Sequence, residues 1–83
     1  MIYCVEDETG IRNMMVYTLE AAGLEAKGIE DGAALYNALK EQVPTLIILD
    51  IMLPDEDGIS ILKKLRVQSC TQRVPVIMAT AKG

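Results

Sequence analysis

The sequence contains no histidine and only two cysteines, Cys4 and Cys70, and this scarcity excludes several kinds of site. A structural zinc site takes four ligands, mostly cysteine and histidine, which this chain cannot supply. The two cysteines fit no disulfide framework, and Cys4 stands in an apolar run typical of a protein core. We therefore expect two free thiols in a protein of a reducing compartment.

Long apolar segments and an excess of basic charge are also missing. The longest apolar run is far shorter than the ~20 residues that a membrane-spanning helix needs. Acidic residues follow Met1 almost at once, so no secretory leader is visible. The net charge is −4, whereas surfaces that bind nucleic acid are basic. We therefore expect a cytoplasmic protein whose present segment makes no direct contact with nucleic acid or membrane.

What the sequence does contain is an alternation of strand-like and helix-like patterns over 83 residues, enough for one small domain. Short apolar runs predict strands, and residues 46–49 form the strongest of them. Apolar residues at helical spacing predict three intervening helices. The expected strands are 1–5, 25–29, 46–49 and 76–79, with residues 76–79 opened by Pro75.

The helix boundaries and inward faces also follow from the pattern. Thr9 is the expected N-cap of the first helix and Gly23 its C-terminal stop, while Asp31 should cap the second. The residues predicted to share one face of a helix are Ile11, Met14, Met15, Thr18, Leu19 and Ala22 in the first, Leu35, Ala38 and Leu39 in the second, and Ile59, Leu62 and Leu65 in the third.

Strands that alternate with helices predict an α/β fold with a parallel sheet. In a flavodoxin-like, doubly wound sheet of order 2-1-3-4, ligands bind beyond the carboxyl ends of strands 1 and 3. Glu6 and Asp7 follow strand 1, and Asp50 follows strand 3. We therefore expect these acids to share a pocket, although acids in such positions also serve as helix caps or solvated loop residues.

A cluster of carboxylates is costly unless a cation neutralises it, because two like charges 4 Å apart repel by about 4 kcal/mol at an effective dielectric of 20. Mg²⁺ fits best, because it binds one or two carboxylates together with phosphate oxygens. An aspartate beside Mg²⁺ can attack phosphorus and form an aspartyl phosphate. The pattern therefore indicates phosphoryl chemistry at Asp50.

The successive motifs resemble those of response-regulator receiver domains, in order and in spacing, over the whole chain. They are Val5-Glu6-Asp7-Glu8, Leu46-Ile47-Ile48-Leu49-Asp50, Met52-Leu53-Pro54, Asp57-Gly58 and Pro75-Val76-Ile77-Met78-Ala79-Thr80-Ala81. The resemblance implies a phosphorylation switch that receives its phosphoryl group from a sensor histidine kinase. Glu6, followed by the Met52-Leu53-Pro54 turn, is similar to receivers linked to winged-helix DNA-binding domains.

By position, the resemblance implies a role for each site residue. Asp50 matches the phosphoacceptor, and Asp7 matches the direct ligand of Mg²⁺. Glu6 matches the neighbour that acts on the metal through water, and Met52 matches the residue whose backbone carbonyl binds it. Thr80 matches the hydroxyl residue that senses the phosphoryl group.

The chain departs from that family in one respect, because the family has five strands and five helices and this sequence stops just after strand 4. Residues 1–83 would then form a receiver-like domain that lacks the C-terminal part of the usual fold. Apolar side chains such as Met14 and Tyr17 would be partly exposed, and strand 4 would be an open edge. We therefore expect the chain to self-associate, to swap segments or to be only loosely folded.

Other functions remain open on the sequence alone. A phosphatase with Asp50 as its nucleophile would require a second aspartate, two residues after Asp50, as general acid. Met52 occupies that position instead. A purely structural flavodoxin-like fragment that takes no phosphate is another possibility. A flavin site is conceivable on this fold, although the acidic pocket would repel the phosphate of the flavin.

Overall fold

A computed structural model describes residues 1–79 and shows strands and helices in strict alternation. The elements are β1 (Ile2–Val5), α1 (Thr9–Ala21), β2 (Ala26–Ile29), α2 (Gly32–Glu41), β3 (Leu46–Asp50), α3 (Gly58–Val67) and β4 (Val76–Ala79). All neighbouring strands are parallel, in the order β2-β1-β3-β4. The predicted doubly wound, flavodoxin-like sheet is confirmed over these four strands.

The ends of the helices agree with the sequence prediction except at the start of α1. Glu8, not Thr9, is the N-cap: its backbone is extended and its side chain accepts a hydrogen bond from Gly10 N, while Thr9 is already helical. Gly23 ends this helix with φ of 88°, the left-handed conformation that favours glycine. Asp31 caps α2 by accepting from Ala34 N, as predicted.

One face of the sheet packs against α2 and α3 and forms the core. The buried residues of this core are Tyr3, Val5, Ile29, Leu35, Ala38, Ile47, Leu49, Ile61, Leu65 and Val74. The inward face predicted for α3 was wrong in part: Ile59 is exposed, and Ile61 is buried in its place. The reason is the buried Gly58, because residues 58, 61 and 65 are the ones that turn toward the sheet together.

Among residues 1–79, α1 is the helix that lies on the opposite face of the sheet, where it packs mainly on β2 and β1. Within α1, all of whose residues the structure describes, none is fully buried, and Met14 is 69% exposed. Beside α1 runs an apolar groove of about 340 Å³, lined by Ile11, Met14, Met15, Thr18, Leu19 and Ile48. The predicted exposure of this face is confirmed.

β4 is the outer strand on one side of the sheet. Within residues 1–79 it pairs with β3 alone, and its Ile77 is 51% exposed. Cys4 is buried and Cys70 is exposed, both as free thiols, as expected. Among the helices of residues 1–79, none has both the length and the apolar character needed to cross a bilayer.

Candidate functional site

Three carboxylates meet where β1 and β3 end. The two strands are hydrogen-bonded neighbours with Val5 opposite Leu49, so Glu6 and Asp50 leave the sheet side by side. One carboxylate oxygen from each of Glu6, Asp7 and Asp50 lies within 4.8 Å of the others. We call these three carboxylates the acidic site, and the predicted convergence of the acids is confirmed.

Burial and local hydrogen bonds fix the geometry of the acidic site. Glu6 and Asp50 are each only 3% exposed, and Asp7 is partly exposed. Glu6 Oε2 accepts a hydrogen bond from Glu8 N at 2.9 Å. Asp50 Oδ1 accepts from Met52 N at 3.0 Å. Two of the carboxylates are therefore oriented by backbone amides that lie two residues further along the chain.

Electrostatics disfavour three charges in this space. Burial raises the pKa of Glu6; the Glu8 amide opposes that shift, and the neighbouring carboxyl groups of Asp7 and Asp50 add to it. The donors of the acidic site are all hard carboxylate oxygens, which suits a divalent cation of the magnesium or calcium class better than a thiophilic metal. The residues present therefore fit a hard divalent metal ion.

The loop that follows Asp50 is anchored to α2 by an acid whose role the sequence did not reveal. The Asp55 carboxylate accepts from Gly32 N and Ala33 N, each at 3.0 Å. These amides belong to the first turn of α2, where backbone donors have no partner within the helix. The run of acids at 55–57 is visible in the sequence, but which helix it would reach is not.

A second contact of this loop joins it to both α2 and α3. Glu56 accepts hydrogen bonds from Tyr36 Oη at 2.9 Å and Ser60 Oγ at 2.7 Å, and it pairs with Lys64 Nζ at 2.7 Å. The contact with Lys64 is the largest cause, and the hydrogen bond from Ser60 the next largest, of a pKa of Glu56 that is lowered to about 2. Burial is the main cause, and the hydrogen bond to Glu56 the second, of a pKa of Tyr36 that is raised to about 12.

Replacing Glu56 by glutamine should reduce the sensitivity of the fold to acid. The pKa of Glu56 is about 2 in the folded chain and roughly 4.3 when unfolded. Its ionised form therefore contributes stability above pH ~4.3 that is lost as the pH falls toward 2. We expect the urea midpoint of Glu56→Gln to lie below that of the parent chain at pH 7. Below pH 4 the difference between the two midpoints should become smaller. Glu20→Gln, at an exposed position on α1, is the control, and equal pH profiles for all three chains would contradict the expectation.

The other residues singled out in the sequence are distributed unevenly around the acidic site. Met52 follows Asp50 in the loop, and its side chain is exposed. Thr80 lies outside the described residues. Sequence reasoning missed Arg12, whose guanidinium contacts the backbone carbonyls of Glu6 and Asp7. An arginine at helical spacing after the acidic run was the only signal available.

Comparison with known proteins gives consistent relatives. The family model for the response regulator receiver domain matches residues 2–83. The chain is 44% identical over 82 residues to the phosphate regulon transcriptional regulatory protein PhoB of Escherichia coli (strain K12), covering 99% of this chain and 36% of that protein. It is 38% identical over 81 residues to the alkaline phosphatase synthesis transcriptional regulatory protein PhoP of Bacillus subtilis (strain 168), covering 98% of this chain and 33% of that protein.

A solved structure agrees with these relatives. The N-terminal domain of a response regulator receiver protein from Methanoculleus marisnigri JR1 matches with a TM-score of 0.91 and 32% identity, covering 96% of this chain and 65% of that one. The chain spans about a third of the length of the curated relatives it matches. With the family motifs, the sheet order and the converging acids all in agreement, the chain belongs to the response regulator receiver domain family.

Proposed function

We propose that this chain is a phosphoacceptor module in which Asp50 takes a phosphoryl group from a sensor histidine kinase. The observation that carries the proposal is the meeting of three carboxylates within 4.8 Å at the carboxyl ends of β1 and β3. In the reaction a carboxylate oxygen of Asp50 bonds to phosphorus while the bond between phosphorus and the donor nitrogen breaks, and its electron pair leaves with the donor. The Met52 amide orients the nucleophile by holding its Oδ1 atom.

The metal that we propose for the acidic site is Mg²⁺. Asp7 and Asp50 would bind it directly, the Met52 backbone carbonyl would complete the protein ligands, and Glu6 would act through water. When bound, Mg²⁺ neutralises the carboxylates and stabilises the transferring phosphoryl oxygens. The burial of Glu6 and Asp50 supports this assignment, because buried charges are paired or bind metals.

Thr80 is proposed as the hydroxyl residue that hydrogen-bonds the phosphoryl group on Asp50. It follows Ala79 directly in the sequence, and Ala79 is the register partner of Asp50 in the sheet. This nearness in sequence to the partner of Asp50 supports the proposed role of Thr80.

For the whole protein we propose a role in transcriptional regulation, with phosphorylation switching an output domain. The curated relatives PhoB and PhoP are transcriptional regulatory proteins by name. A phosphatase with an aspartate nucleophile is a weaker proposal, because Met52 stands where the general acid would be and a thioether transfers no proton. We also propose that the chain self-associates through the face that α1 leaves uncovered and through β4.

The proposed function is tested by mass spectrometry of the intact chain with Mg²⁺ and a small phosphodonor such as acetyl phosphate. We expect the mass to rise by one phosphoryl group, and the rise to disappear when Mg²⁺ is removed by a chelator. Asp50→Asn should abolish the gain. Asp57→Asn, in the same loop, should not, because Asp57 is exposed and asparagine caps a helix as well as aspartate does. Uptake that persists in Asp50→Asn would overturn the assignment.

A further inference from the structure

The side chain of Arg12 spans the turn between β1 and α1. Its Nη1 atom donates to Glu6 O at 2.8 Å and to Asp7 O at 3.3 Å, and its Nη2 atom donates to Thr9 Oγ1 at 3.4 Å. The bonds to the Glu6 and Asp7 carbonyls are partly buried and so partly shielded from competition by water, whereas the bond to Thr9 Oγ1 is exposed. One rigid guanidinium therefore holds the backbone of two of the three residues of the acidic site.

These hydrogen bonds constrain the side chains as well as the backbone. Peptide units are planar, so fixing the carbonyl oxygens of Glu6 and Asp7 fixes the peptides on both sides of the Asp7 Cα atom. The direction in which the Asp7 side chain leaves the backbone is then set. The second of these peptides also carries Glu8 N, which donates to Glu6 Oε2. Arg12 is thus linked through one peptide group to the Glu6 carboxylate, and each bond polarises the next.

The path of the Arg12 side chain depends on the glycine at position 28. Gly28 lies in β2, pairs with Cys4 and faces α1. A Cβ atom there would lie 2.9 Å from Arg12 Cγ and 3.1 Å from Arg12 Cδ, and 3.5 Å from Val16 Cγ2. An alanine at position 28 would therefore displace the stem of Arg12, whereas its contact with Val16 would be an ordinary van der Waals contact.

We infer that Arg12 is a positioning residue that sets the divalent-cation affinity of the acidic site, and that Gly28 provides the space that this role requires. The inference rests on the proposed function, because it assumes that the acidic site binds Mg²⁺. A purely structural role, in which Arg12 only joins α1 to the preceding turn, makes a different prediction: stability would fall and cation affinity would not change.

The test is a double-mutant cycle between Arg12→Met, which keeps an unbranched stem but removes the donors, and Gly28→Ala. The Mg²⁺ dissociation constant is measured by isothermal titration calorimetry and the unfolding free energy by urea denaturation without metal. We expect Arg12→Met to weaken Mg²⁺ binding about tenfold, the lower end of the range for loss of an outer-shell partner. Gly28→Ala should weaken it in the parent chain and have no further effect in Arg12→Met.

A second measurement needs no metal. Hydrogen exchange of the Glu8 amide should accelerate in Arg12→Met and in Gly28→Ala, because that amide is oriented by the peptide that Arg12 holds. Unchanged Mg²⁺ affinity in a folded Arg12→Met, or additive effects of the two substitutions, would overturn the inference. If Arg12→Met does not fold, the inference is tested with Gly28→Ala alone, through its Mg²⁺ affinity and the hydrogen exchange of its Glu8 amide. If the parent chain binds no Mg²⁺, the proposed function itself fails, and the inference fails with it.

Discussion

Replacing Gly58 by alanine is expected to destabilise this chain more than the same substitution at Gly10 or Gly28. An added Cβ atom would lie 2.5 Å from the backbone oxygen of Asp50, and 3.0 Å from both Ile51 Cα and Met78 Cε. Neither backbone atom can move without displacing β3 or the loop after it. Overpacking typically costs about 1–3 kcal/mol, and the approach to backbone atoms places Gly58→Ala at the upper end of that range. This is a large share of the roughly 5–15 kcal/mol that stabilises a domain.

The measurement is urea denaturation followed by circular dichroism, with Gly10→Ala as the matched control. Gly10 lies in α1, and an added Cβ atom there meets only Glu8 Oε1, at 3.2 Å, which is the end of a flexible side chain. Alanine gains up to ~1 kcal/mol over glycine inside a helix, so Gly10→Ala should be neutral or stabilising. Similar urea midpoints for the two variants would contradict the argument. The clash at Gly58 also involves the carbonyl of Asp50 itself, so any folded Gly58→Ala should take up phosphate more slowly.

If the chain self-associates as proposed, replacing Ile77 by lysine should make it monomeric. Ile77 lies on the outer strand β4, is 51% exposed, and shares its face of the sheet with Ile48 in the groove beside α1. An exposed, apolar edge strand pairs readily with another chain, and a lysine on the edge opposes such pairing. The expected result is a loss of concentration-dependent association in sedimentation velocity experiments, with little change in the urea midpoint.

Val67→Lys provides the control for this second substitution. Val67 is the last residue of α3 and is 82% exposed, more than Ile77, yet it lies on the helix that covers the other face of the sheet. The Val67→Lys variant tests whether added charge and lost apolar surface at any exposed position are enough to prevent association. We expect Val67→Lys to associate like the parent chain. A parent chain that is monomeric at all concentrations would refute the self-association proposal outright.

The sequence predicted the parts of this structure that depend on short-range pattern and on general rules of sheet topology. The order of strands and helices follows from the change in apolar spacing, and Asp50 had to meet Glu6 because parallel strands end at the same edge. The inward face of α3 was predicted less well. Residue 59 was expected inside, but the close approach of Gly58 to β3 turns Ile61 inward instead.

The contacts that shape the site were beyond the sequence for a different reason. Asp55 reaches the first turn of α2, and Arg12 passes over Gly28 in β2. Such contacts join segments whose relative placement is known only once the whole sheet is assembled. Local propensity carries no information about them. The acids at 55–57 could be recognised as loop residues, but not as an anchor for another helix.

The all-parallel sheet has a consequence for the order of folding. Within residues 1–79, every pair of neighbouring strands is separated in sequence by at least one helix, and no hairpin joins them. β1 precedes β3 by two helices and a strand, and their pairing brings together Ile2 and Leu46. Contacts between such distant residues slow folding, because loop entropy is lost before any contact forms. During synthesis the apolar β1 therefore stays unpaired on the β3 side until residues 46–49 have emerged, and we expect the docking of β3 to be the slow step of folding.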